Sequence, residues 1–172
     1  MDLKKFEENL DLSITAAMIG ISKQNWMFAK PEDTMDQAKQ VMRENSFDIL
    51  PIQEKDGTVD HYFKIVEPGN YETIQKSSIK YAESIYYLTD LKDLLRIFNN
   101  NFRAYYFLTN HSEIVGLVST VNLNSKPVYV YFYNLLSKLE IELGLWIKAL
   151  LPEKVVLKFL NTQVSKKTGA NN

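Results

Sequence analysis

Asp33-Thr34-Met35-Asp36-Gln37-Ala38 runs on through Val41-Met42 to Phe47-Asp48-Ile49-Leu50-Pro51-Ile52, and about 56 residues later the same grammar returns. Thr89-Asp90-Leu91 leads through Leu94, Ile97 and Phe98 to Ala104-Tyr105-Tyr106-Phe107-Leu108. Thr34 and Gln37 have the spacing of a capping box, in which hydroxyl and amide side chains satisfy the first free backbone amides. Asp90 is a natural N-cap. Met35, Ala38, Val41 and Met42 fall on one helical face ending near Asn45, and Leu91, Leu94, Leu95 and Phe98 do the same. Each helix feeds an apolar strand, over Phe47 to Gln53 and Arg103 to Thr109. A polar turn then leads to a second strand, through Lys55-Asp56-Gly57 in one copy and Asn110-His111-Ser112-Glu113 in the other. One small α/β unit is written twice. Only the second copy closes with Gly116-Leu117-Val118-Ser119-Thr120-Val121-Asn122.

The chain has 172 residues, 45% hydrophobic and 24% charged, enough to bury a core. Twenty basic against 21 acidic residues leave a net charge of −1, which argues against a nucleic-acid binder. Without cysteine there are no disulfides, thiolate metal sites or cysteine nucleophiles. Lys4 and Lys5 precede no apolar run, and no stretch reaches the roughly 18 apolar residues of a membrane span. These features predict a soluble cytoplasmic protein with no membrane partner.

Outside the repeats, Leu3, Phe6, Leu10 and Ile14 predict an N-terminal helix within residues 1–20. Asn25 to Ala29 reads as a buried strand stopped by Pro31. In the first repeat, residues 21–84, Val59 to Val66 is a strand ending at Pro68-Gly69-Asn70, and Tyr71 to Ser84 is a polar, partly helical connection. Ile85 to Leu88 opens the second repeat, residues 85–130, and Ile114 to Ser119 is its last strand. Pro127 suits the first turn of a helical extension over 127–162. Its stripe is Val128, Tyr131, Leu135, Leu139, Leu143, Trp146 and Leu150, Pro152 interrupts it, and 163–172 is a disordered tail. Two readings of that helix stand together: it closes the core, and Tyr129, Tyr133 and Trp146 face another subunit.

The duplicated helix–strand–strand order, with Ile49-Leu50-Pro51-Ile52 in the first copy and the Gly116-to-Asn122 ending in the second, resembles the cystathionine-β-synthase (CBS) domain, a regulatory module that occurs in tandem. The resemblance covers residues 20 to 130. It implies an α/β (α+β) fold of tandem βαββα repeats, with the N-terminal helix and the C-terminal extension added. It also implies a non-catalytic sensor that takes an adenosine compound (AMP, ADP, ATP or S-adenosylmethionine) in a cleft between the repeats. Asn122 would contact the ribose hydroxyls and Ser119 the ribose or phosphate, beside Leu117. Phe28-Ala29 and Phe47-Asp48-Ile49 would line the base pocket. Register places Asp60, Phe63 and Val66 at the matching end of the first copy, so one cleft at most is competent. Ser119 and Asn122 equally suit a plain turn cap. The alternative function is a ligand-free dimerising scaffold or interaction module, and in either case a homodimer and an unidentified regulated protein are the expected partners.

Other constellations point to no chemistry. His61 and His111 have no further ligands at metal spacing. Glu140 and Glu142 point to different helix faces, and no phosphate-loop or dinucleotide glycine pattern exists. Lys64, Arg43, Arg103 and Lys126 are the cations nearest the strand and helix ends. No catalytic residue, metal or resident cofactor is expected.

Overall fold

The computed structural model describes residues 13–152 and 154–159. The chain divides between Tyr129 and Val130 into two compact units. Most of the expected N-terminal helix lies outside the described residues. Its described end is a single turn, α1 (Ala16–Ile19), with Ala16 and Ile19 buried.

In the first repeat the capping box forms as its spacing requires. Thr34 Oγ1 accepts from Gln37 N at 3.3 Å and Gln37 Oε1 accepts from Thr34 N at 2.8 Å. Helix α2 (Met35–Asn45) follows, burying Ala38 and Met42, and Ser46 ends it in the left-handed conformation. The chain then enters β2 (Ile49–Ile52), which pairs antiparallel with β3 (His61–Glu67). Ala29 bridges Ile52 in parallel, so the expected strand over Asn25–Ala29 is reduced to one paired residue after a 3-10 turn at Lys23–Asn25.

Tyr71 to Ser84, expected as a polar, partly helical connection, is strand over its first part and turns helical only at Tyr81–Glu83. Pro68-Gly69 turns the chain back, and β4 (Asn70–Ser78) pairs antiparallel with β3 over nearly its whole length. Only Ile74 of this strand is buried, so no apolar alternation marked it. Helix α2 covers the sheet, and Ala29, Ala38, Met42, Leu50, Phe63 and Ile74 pack into one core.

The second repeat repeats the plan. A 3-10 turn (Tyr81–Glu83) leads into β5 (Ser84–Tyr86), and helix α3 (Leu91–Asn101) is capped by Asp90 Oδ1 on Asp93 N at 2.8 Å. Phe102, like Ser46, is a non-glycine residue in the left-handed conformation at the helix end. Strands β6 (Tyr105–Asn110) and β7 (Glu113–Ser119) form the expected hairpin. Strand β1 (Ile21–Ser22) completes the sheet, in the order β1-β7-β6-β5.

Pairing also fixes how the repeats correspond. Tyr105 stands opposite Ser119 as Ile49 stands opposite Lys64. The positions matching Gly116, Ser119 and Asn122 are therefore His61, Lys64 and Glu67, not Asp60, Phe63 and Val66. A slip of one residue transfers every side chain to the other face.

Beyond β7, a 3-10 turn (Thr120–Leu123) enters α4 (Lys126–Leu150), with Pro127 in its first turn. Val128 is the one buried residue of α4. In the second unit Tyr133, Trp146 and Leu150 are more than half exposed. Residues 154–159 are helical again after the break at Pro152. No helix among the described residues is long and apolar enough to cross a membrane.

Candidate ligand-binding site

A cleft of about 300 Å³ opens between the repeats of the first unit. Trp26, Met27, Phe47 and Ile49 contribute walls from the first repeat, and Tyr105 and Leu117 from the second. Ser46, Asp48, Ser119 and Thr120 add polar groups. A few polar groups in a mainly apolar hollow of this size are what a small-molecule site needs.

Local structure positions each wall. The left-handed turn at Ser46 ends α2 and aims Phe47-Asp48 into β2, so side chains from both helix end and strand start reach one hollow. Trp26 is held by its indole N–H, which donates to Ile21 O at 3.3 Å, and by ring contacts with Phe28 at 5.7 Å and Phe107 at 6.2 Å. Ile21 in turn pairs with Leu117 across the β1–β7 ladder. Gly116 makes that ladder possible, since a Cβ there would lie 2.8 Å from Ile21 O. The glycine of the Gly116-to-Asn122 ending is thus a close-approach residue of the cleft wall.

Five of the eight residues singled out from the sequence line this cleft: Ser119, Leu117, Phe47, Asp48 and Ile49. Three are placed elsewhere. Ala29 is buried in the first-repeat core. Phe28, its neighbour, points into a separate hollow with Gln24, Gln53 and Val115, because successive residues of an extended chain face opposite ways. Asn122 is turned back as a cap: its Oδ1 accepts from Ser119 N at 2.7 Å and from Ser119 Oγ at 2.9 Å. The turn-cap reading therefore describes Asn122, while Ser119 serves the cap and also faces the cleft.

Trp26, Met27, Tyr105 and Thr120 were missed. The repeat itself carried a signal for one of them, because Tyr105 is the counterpart of Ile49. Of the candidate cations, Arg43 pairs with Glu72, Arg103 with Glu83, and Lys64 lies 5.9 Å from the Tyr62 ring centroid. His61 and His111 both line another hollow with Asp60 and Lys80. Among the described residues no group of three or more histidines and carboxylates is placed to hold a metal ion.

No protein-family model matches the chain, and no curated protein matches it. Solved structures do. An uncharacterized conserved protein from Pyrococcus horikoshii is 18% identical, with 66% of this chain and 91% of that chain covered, at a TM-score of 0.49. CBSX2, solved in complex with AMP, is 14% identical over 63% of this chain and 92% of its own, also at 0.49. A conserved CBS domain protein of unknown function from Thermoplasma acidophilum is 16% identical over 73% of this chain and 76% of its own, at 0.48. Two capped helices each feeding a hairpin, with β5 pairing in parallel in the second repeat and Ala29 bridging in parallel in the first, make this chain a tandem pair of related α/β units followed by a long helix.

Proposed function

We propose that this chain is a non-catalytic regulatory module that binds an adenosine compound in the cleft between its repeats. The observation that carries the reading is the division of the cleft: flat apolar walls from Trp26, Phe47, Ile49 and Leu117, with Asp48, Ser119 and Thr120 beside them. A purine fits a flat apolar slot, and a ribose diol needs short acceptors and donors such as a carboxylate and hydroxyls. CBSX2, one of the similar solved structures, is in complex with AMP. Because both repeats supply walls, a ligand that prefers one arrangement of the repeats shifts their equilibrium toward it.

The test is titration of AMP, ADP, ATP and S-adenosylmethionine against a Trp146→Phe chain, in which Trp26 is the single remaining tryptophan. A ligand at 100 times its Kd adds about 2.7 kcal/mol to stability. Ser119→Ala should then weaken binding by about 2- to 12-fold, the worth of one hydrogen bond. No binding by any of the four compounds refutes the reading. A melting loss in Ser119→Ala with unchanged affinity assigns Ser119 to the cap alone.

One observation favours a second reading, an interaction module that works as a dimer: the exposed apolar side chains of α4, among them Tyr133, Trp146 and Leu150. Sedimentation of the purified chain separates monomer from dimer directly.

A further inference from the structure

The internal repeat that builds one cleft must build a second, related position for every wall of the first. Ala29 bridges Ile52 in parallel and Ile85 pairs with Leu108 in parallel, so Met27, Phe47 and Ile49 correspond to Glu83, Arg103 and Tyr105. Leu117, two residues before Ser119, corresponds by the hairpin register to Tyr62, two before Lys64. Four apolar walls of the ligand cleft thus become an acid, a base and two phenols.

These four bond to one another in a chain from Arg103 through Glu83 and Tyr62 to Tyr105. Glu83 is only 6% exposed, and donors from three segments converge on its carboxylate. Arg103 Nη1 donates to Oε1 at 3.2 Å, while Tyr62 Oη and the Lys80 amide donate to Oε2, each at 3.2 Å. Tyr105 donates its hydroxyl to Tyr62 Oη at 3.1 Å. A guanidinium, a phenol and a backbone amide converging on one buried carboxylate are the donor set of an anion site.

We propose that the twin cleft is an anion site occupied by the chain's own Glu83 carboxylate, which leaves one ligand cleft per chain and ties down one wall of it. That wall is Tyr105, whose ring lines the open cleft while its hydroxyl ends the relay through Tyr62 to Glu83. Glu83 is a positioning residue for Tyr105. The proposal rests on the adenosine reading for its ligand count and stands apart from it for the internal anion site.

The experiment removes the occupant and supplies a substitute. Glu83→Ala leaves Arg103, Tyr62 and the Lys80 amide facing a carboxylate-sized hole, and lowers the melting temperature. Sodium formate should restore more of that loss than sodium chloride of equal ionic strength, and should raise the parent no more than chloride does. Equal effects of formate and chloride on Glu83→Ala overturn the anion site, whether or not any nucleotide binds. Should Glu83→Ala fail to fold, Arg103→Ala and Glu83→Gln are combined. Additive losses in the double variant overturn the proposal, and a double loss close to the larger single loss supports it. Calorimetric titration of the parent with the adenosine compound that binds should give one equivalent per chain, and two equivalents overturn the plug. If no compound binds, the cleft reading alone fails and the formate result still decides.

Discussion

Adding a single methyl group at Gly116 tests how the cleft wall is built. In Gly116→Ala the new Cβ would stand 2.8 Å from Ile21 O and 3.2 Å from Leu108 Cδ1. The leucine terminus gives by rotating; a backbone carbonyl held in a strand ladder gives only if the strand moves. Overpacking of this kind costs about 1–3 kcal/mol. The upper bound is set by escape: β1 has just two paired residues, Ile21 with Leu117 and Ser22 with Gly116. Peeling it away forfeits a few hydrogen bonds at about 0.5–1.5 kcal/mol each. Taking about 2 kcal/mol, and 2–4 °C per kcal/mol for a chain of this size, the melting temperature falls by about 4–8 °C. The same shift reaches the cleft, because Ile21 O also accepts the Trp26 indole N–H. Trp26 emission in a Trp146→Phe background should therefore move to the red, and ligand affinity should drop. Gly144→Ala is the matched control. Nothing beyond the neighbouring helix backbone lies within 4 Å of a Cβ there, so removing a helical glycine should stabilise by about 0.5–1 kcal/mol. Thermal unfolding followed by circular dichroism reads both variants. A Gly116→Ala chain that melts within about 1 °C of its parent, with unmoved Trp26 emission, refutes the close-approach account.

Two further outcomes follow from caps and charge. Thr34→Ala removes the reciprocal bonds with Gln37 and should cost about 1 kcal/mol, lowering the melting temperature by about 2–4 °C; no loss would show that α2 is held by its buried face alone. The Glu83 carboxyl is raised by burial, but its bonds from the Lys80 amide, Arg103 and Tyr62 prevail and hold it below the usual 4.5. The unfolded chain then binds the extra proton first, so Glu83 stabilises the fold above pH 4.5 and this contribution fades as the pH drops through its folded value. Denaturant midpoints measured from pH 6 to pH 3 should fall more steeply for the parent than for Glu83→Gln, and parallel curves would deny Glu83 that share.

The amino-acid sequence by itself determined what depends on neighbours a few positions apart. Thr34 with Gln37, the Asp90 cap, and the stripes ending in Met42 and Phe98 place both helices, because capping and amphipathic spacing are local. The Tyr105–Ser119 hairpin and the duplication follow from the same kind of signal. Strand β4 did not, since an edge strand with Ile74 as its sole buried residue carries no alternation. Only tertiary structure decided which residue faces which. Strand pairing put Lys64 rather than Phe63 opposite Ile49, and packing placed Trp26 in the cleft wall and Phe28 in a separate hollow. It buried Glu83, whose charge reads as solvent-exposed in any one-dimensional pattern until Arg103, Tyr62 and the Lys80 amide are brought around it. Caps and stripes are written within one or two helical turns. A cleft is written between segments tens of residues apart, where a register change of one residue exchanges inside for outside.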